Sequence, residues 1–227
     1  MQTITKSKFA EPFQHPGELL NGHPYRVFGE QLLLYRGEKK EHFNIAFFDP
    51  NQTFTVDDYL ELPERAPFQL INGKIVLLAS PTNPHQRVSM NLSFEFTLHI
   101  RKQKIGVVRA APFDVYLDKH NVVQPDILFV SNERKHLIST RGLEGAPDFA
   151  VEILSSKKNV DRRDKKVLYA KYGVREYWII DPEMETVEMY NLKDEELQLV
   201  GEFLKTGLLS SSVVDGFEIE LEELFFN

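Results

Sequence analysis

Apolar side chains recur every four residues at Val88, Leu92, Phe96 and Ile100, with Phe94 and Leu98 widening the stripe. That spacing predicts an amphipathic helix over His85–Lys104. Upstream, Phe68–Ala79 sets Asn72-Gly73 between two apolar runs, the pattern of a tight β-hairpin. Thr55, followed three residues later by Asp58, resembles a capping box at the start of a short helix. After the long helix the period changes to that of strands, at Gly106–Ala110, Phe113–Leu117 and Val122–Val130, the last two joined by a polar turn at Asp118–Asn121. Phe149–Leu154 is a fourth strand-like run. A helix is expected over Asp161–Tyr172, with Gly173 placed to close it in a left-handed conformation. Glu176–Ile180 reads as a buried strand, Thr186–Tyr190 and Gln198–Phe203 as an antiparallel pair, and Leu221–Phe226 as a short final helix or turn. Tyr25–Tyr35 reads as two short strands around Gly29, and residues 1–52 otherwise show no recognisable chemistry.

This order of elements predicts an α/β fold, a sheet covered by helices with an antiparallel meander in the middle. It is not the regular alternation of a doubly wound nucleotide-binding fold, and no Gly-rich phosphate loop is present, which argues against a kinase or NTPase. A chain of 227 residues suits one core domain, expected over residues 53–227, with residues 1–52 as an N-terminal extension of open role. No apolar run approaches the roughly 18–20 residues that span a membrane. The first residues lack the apolar core of a signal peptide. There is no cysteine, so disulfides and thiolate metal sites are excluded, and a cytoplasmic location is expected.

The formal net charge of -7 runs against a general polyanion binder. It is unevenly spread. Between Lys157 and Arg175 stand eight Lys/Arg against two Asp, a local balance of +6, while beyond Asp181 only Lys193 and Lys205 offset the acids. Such a segment fits a localised anionic substrate or, equally, a solvated helix face.

Two carboxylates sit in apolar surroundings. Asp126 follows Pro125 at an apolar strand, and Glu152 is enclosed by Ala150, Val151, Ile153 and Leu154. Acids there are rarely buried without a partner or a metal. If their strands are neighbours, the two can face each other across a sheet spacing of ~4.8 Å and share one cation. Oxygen-only ligands select a hard ion, Mg²⁺ or Mn²⁺. The alternative is that Glu152 faces solvent and Asp126 caps a turn. Lys165 shares a helix face with Asp161, Leu168, Tyr169 and Tyr172, a face expected to meet the sheet and carry the lysine toward Glu152. Lys166 lies about 100° round the helix, toward solvent or phosphate. The alternative for Lys165 is a helical salt bridge with Asp161.

The combination of Gln124-Pro125-Asp126, PDFAVEILS at 147–155, the Asp161–Lys165–Tyr169 series and GVREYWIIDP at 173–182 resembles the bacterial putative restriction endonuclease family. That family is a branch of the PD-(D/E)XK nuclease superfamily. TVDDYLEL at 55–62, INGKIVLLASPTNPHQRV at 71–88 and APFDVYL at 111–117 extend the likeness over about residues 53–227. The resemblance implies a restriction-endonuclease-like mixed sheet flanked by helices, Mg²⁺-dependent hydrolysis of DNA phosphodiesters and a homodimer. Asp126 then matches the first metal-binding acid and Glu152 the second, with the main-chain carbonyl of Ile153 assisting. The superfamily's usual lysine, two positions after the glutamate, is replaced by Leu154; in this branch it comes from the following helix, at the place of Lys165. His85 and Gln124 also match family positions, as phosphate contact and as orienter of water or bases. Gln69 departs from a usual glutamate and so weakens any second metal site. Asp148, in a second Pro-Asp pair, and Asp114 rank below Asp126.

The expected function is thus a Mg²⁺-dependent endonuclease, Mn²⁺ substituting, with DNA as partner and no nucleotide cofactor. The alternative is a nuclease fold retained as a non-catalytic DNA- or protein-binding module. A nuclease acting on RNA or on particular nucleic-acid structures is a third reading, because no base-reading motif is visible.

Overall fold

The computed structural model describes residues 53–60, 67–78, 80–155 and 161–226, of which 77 and 161–164 by backbone alone, together with the backbone of four strands between residues 19 and 47. The chain divides into two compact units, residues 1–78 with 119–121, and residues 79–118 with 122–227. The expected boundary after residue 52 falls outside the described residues, as do Gly29, Lys157 and Lys158.

In the first unit, β1 (Leu19–Leu20), β2 (His23–Phe28), β3 (Gln31–Lys39) and β4 (His42–Phe47) form an antiparallel sheet in chain order. The two strands read in Tyr25–Tyr35 are β2 and β3, paired Tyr25 to Leu34. Helix α1 (Val56–Leu60) is capped by Asp58, whose carboxylate accepts from Thr55 N at 2.8 Å and Thr55 Oγ1 at 2.9 Å. Strands β5 (Phe68–Ile71) and β6 (Lys74–Leu77) form the expected hairpin. Asn72 and Gly73 both take positive φ, 50° and 73°, the conformation that matches the twist of paired strands.

The second unit carries a six-stranded mixed sheet. Helix α2 (Asn83–Gln103) starts at Thr82, whose hydroxyl accepts from His85 N, and buries Val88, Leu92, Phe96 and Ile100 as their spacing predicts. Phe94 and Leu98 do not belong to that buried stripe: they are 61% and 56% exposed, turned away from the sheet because the helix has only one covered face. Strand β7 (Gly106–Ala110) follows, then β8 (Val115–Asp118) and β9 (Asn121–Val123), the latter beginning in the first unit. The run Val122–Val130 is not one strand. It breaks at Gln124-Pro125-Asp126, where the proline offers no N–H to a ladder, and resumes as β10 (Ile127–Ser131). A 3₁₀ turn over Asn132–Leu137 leads to β11 (Leu143–Glu144), parallel to β8, and to β12 (Phe149–Ile153). Helix α3 (Asp161–Lys171) ends at Gly173, whose φ is +81°. Then come β13 (Glu176–Asp181), β14 (Thr186–Lys193), β15 (Glu196–Leu204), β16 (Leu208–Ser210), β17 (Glu218–Glu220) and α4 (Leu221–Leu224).

The sheet order is β15-β14-β13-β12-β10-β7, with β12 and β13 parallel and every other neighbouring pair antiparallel. Strand alternation divides its side chains between two faces. Ile127, Phe129, Phe149, Val151, Ile153, Trp178 and Ile180 pack with the buried stripe of α2, with Phe217 and with α4. The residues between them, including Ala150, Glu152 and Tyr177, turn to the face on which α3 lays Leu168 and Tyr169, both buried.

Candidate active site

The antiparallel register of β10 and β12 pairs Ile127 with Val151, Leu128 with Ala150 and Phe129 with Phe149. One step further along the same ladder, Asp126 comes opposite Glu152, on the sheet face shared with α3. Asp126 stands just before β10, after the break at Pro125. Its Oδ2 accepts from the main-chain N–H of Ile153 at 2.7 Å, which fixes it against the end of β12. Its Oδ1 lies 3.1 Å from His85 Nε2.

Glu152 is held from the other side. Lys165 Nζ donates to its Oε2 at 2.8 Å and the Tyr169 hydroxyl donates to its Oε1 at 2.8 Å. The lysine side chain is 3% exposed and that of Glu152 13%, so this is a pair largely removed from water. Lys165 and Tyr169 are one helical turn apart on α3, and that spacing lets one helix grip both oxygens. Leu154, two places after Glu152, is buried and donates its N–H to Ile180 O, so no side-chain cation is available there; the cation reaches Glu152 from the helix instead.

His85 is buried. Burial pulls its pKa down, but the bond to Asp126 and the charges of Asp126 and Glu152 outweigh that, and the net shift is upward. Gln124, two residues before Asp126, donates to Asp114 Oδ1 at 2.7 Å, and Tyr116 donates to Oδ2 of the same aspartate at 3.2 Å. Asp114 is thereby a support for Gln124.

Other candidates lie elsewhere. Gln69 is fully buried in β5 of the first unit. Asp161 opens α3 and its side chain is outside the described residues. Lys166 turns away from Glu152 and sets its ammonium 3.9 Å from the centre of the Tyr190 ring, where burial lowers its pKa although Glu188 and Glu196 oppose the shift. Arg175 binds Asp148 at 2.8 Å. The described part of the basic segment is thus largely engaged within the chain. Asp148 is a structural anchor: it is 2% exposed and accepts from Ser131 N at 2.7 Å as well as from Arg134 and Arg175. Tyr169 is the residue that sequence reasoning placed on the right helix face without giving it a role; its position four residues after Lys165 was the available signal.

Among the described residues no group of three or more His, Asp or Glu surrounds one cation position. Asp126 and Glu152 bring two carboxylates to this end of the sheet, and carboxylate oxygen is the donor type that hard divalent ions select. No helix of the described residues is long and apolar enough to cross a membrane.

A mixed sheet carrying an acid pair at the ends of adjacent strands, flanked by helices, is the architecture of the restriction-endonuclease-like nucleases. A family model described as "Uma2: Putative restriction endonuclease" matches residues 56–222. The match covers well over half of the chain, and the chain belongs to that family. A crystal structure of a putative nuclease belonging to DUF820 from Anabaena variabilis ATCC 29413, at 1.96 Å resolution, aligns with a TM-score of 0.63 and 24% sequence identity. The alignment covers 76% of this chain and 97% of that one, and it shows a shared fold. No curated protein matches the sequence.

Proposed function

We propose that this chain is a divalent-cation-dependent endonuclease hydrolysing DNA phosphodiester bonds, with Asp126, Glu152 and Lys165 as its catalytic residues. The observation that carries the reading is the grip of Lys165 on Glu152, next to the Ile153 N–H that holds Asp126. The two carboxylates and the carbonyl of Ile153 are the donors suited to Mg²⁺, with Mn²⁺ as substitute. A bound cation supplies charge that offsets the phosphate and acidifies an attacking water.

The chain's own residues do the rest. Ile153 N–H holds Asp126, and Lys165 with Tyr169 holds Glu152, so the acids meet substrate already oriented. The Lys165 ammonium, 2.8 Å from Glu152 Oε2, is the cation that would bind a non-bridging phosphate oxygen and stabilise the charge that grows there as the bond breaks. His85, whose pKa is raised beside Asp126, stands at the edge of the same site. Cutting both strands of a duplex requires two such sites, and a C2 homodimer provides them.

The test is cleavage of supercoiled plasmid in Mg²⁺, Mn²⁺ and EDTA by the wild type, Asp126→Ala and Lys165→Ala. Metal-dependent nicking that disappears in both variants supports the assignment. Cleavage persisting in Asp126→Ala places the activity at another site. Absence of cleavage by the wild type on duplex, single-stranded and RNA substrates favours a non-catalytic binding module.

A further inference from the structure

We propose that Tyr169 is a positioning residue for Glu152, fixing the plane of its carboxylate so that a divalent cation meets a preset ligand; the proposal rests on the nuclease reading above. Tyr169 is fully buried, and its ring packs edge-on against Tyr177 with centroids 5.1 Å apart. Tyr177 pairs in register with Ala150, two residues before Glu152 on β12. The ring is thus held between α3 and the sheet, and its hydroxyl donates to Glu152 Oε1, 2.8 Å away.

Lys165 alone binds one oxygen of Glu152, which leaves the carboxylate free to swivel about its terminal torsion, a broad and nearly twofold one. A second donor on the other oxygen removes that freedom. Because the tyrosine is neutral, it orients the acid without offsetting its charge. Donors of this kind, which bond to a metal ligand rather than to the metal, typically change affinity or activity by tenfold or more when removed.

Tyr169→Phe tests this, since it keeps the ring and deletes only the hydroxyl. Mn²⁺ binding is measured by electron paramagnetic resonance titration on the full chain without nucleic acid, beside wild type and Asp126→Ala, with thermal midpoints recorded with and without Mn²⁺. The expected result is Mn²⁺ affinity about tenfold weaker, a metal-free midpoint lowered by roughly 2–4 °C, and a smaller midpoint rise on adding Mn²⁺. With plasmid substrate, kcat falls and KM for DNA stays within about twofold, since the residue is buried away from bulk DNA contacts. Unchanged Mn²⁺ affinity and kcat in Tyr169→Phe, with wild-type binding that Asp126→Ala abolishes, overturns the positioning role and leaves the nuclease reading standing. No Mn²⁺ binding and no cleavage by the wild type overturns both.

Discussion

Lys165 and Glu152, brought together from α3 and β12, form an ion pair of 2.8 Å whose side chains are 3% and 13% exposed. Taking two charges this far from water is stabilising only while both are present, because either alone keeps its desolvation cost without its partner's attraction. Lys165→Met and Glu152→Gln are therefore each expected to lower stability by about 3 kcal/mol, while the double variant loses much less than their sum. Urea unfolding of the four proteins measures the coupling. A pair that is merely superficial would give additive losses within experimental error.

Asp148 answers for stability rather than chemistry. Burial raises its pKa, yet the hydrogen bonding from Ser131 and the charges of Arg175 and Arg134 outweigh it, and the net shift is below the ordinary 3.8. A carboxylate with a depressed folded-state pKa contributes stability in full above its unfolded value and loses it as the pH falls through the folded one. Asp148→Asn is expected to cost about 2 kcal/mol near neutral pH, because its single amide oxygen can serve either Ser131 N–H or the guanidiniums and its NH₂ then opposes a donor on the other side. The guanidinium attraction itself is screened, since Arg175 and Arg134 are 53% and 31% exposed. The gap between wild type and variant should narrow as the pH drops below 3.8. Denaturant unfolding across acidic pH checks it, and a gap constant with pH would count against the assignment.

The legible parts of this molecule were those with local causes. A hairpin at Asn72-Gly73 follows from two residues that tolerate positive φ, and the buried stripe of α2 follows from its four-residue spacing. Asp126 and Glu152 stood out because acids amid apolar strands need a reason, and Lys165 because it shares a helix face with Leu168 and Tyr169, all three of them buried. What was not legible depends on distant partners. His85 contacts Asp126, and the anchoring by Asp148 joins Ser131, Arg134 and Arg175, links that no local pattern connects. Strands β11, β16 and β17 are two or three residues long, too short for any period to show. The break in Val122–Val130 was signalled by Pro125, but apolar content on both sides hid it.

In the first unit, the β5–β6 turn is tight enough to exclude a side chain. A Cβ added at Gly73 would lie 2.6 Å from Thr53 Cγ2 and 3.3 Å from Phe54 O, at a φ of +73°. Gly73 N also donates to His120 O at 2.9 Å, and its carbonyl accepts from Phe54 N at 2.7 Å, so the turn cannot shift without breaking either bond. Gly73→Ala should cost about 1–3 kcal/mol. Thermal unfolding reads this directly; a variant as stable as the wild type would mean that the turn relaxes freely.

Glu176 separates the support of the sheet from its chemistry. It is fully buried in β13, and its oxygens are met by donors alone: Trp178 Nε1 at 2.7 Å on Oε1, and Ser211 Oγ at 2.7 Å with the N–H groups of Ser212 and Val213 at 2.9 Å on Oε2. A carboxylate accepts all of these, whereas a glutamine must turn an NH₂ toward one set or the other, so that donor faces donor in either orientation. Glu176→Gln is therefore expected to destabilise by about 1–3 kcal/mol and to speed hydrogen exchange at the Ser212 and Val213 amides. Glu176 and Trp178 lie on the sheet face opposite that of Glu152, by strand alternation. Mn²⁺ affinity measured below the unfolding transition should accordingly match the wild type. A loss of Mn²⁺ binding by a folded Glu176→Gln protein would show that the two faces are coupled, and that the loop after β16 bears on the acid pair.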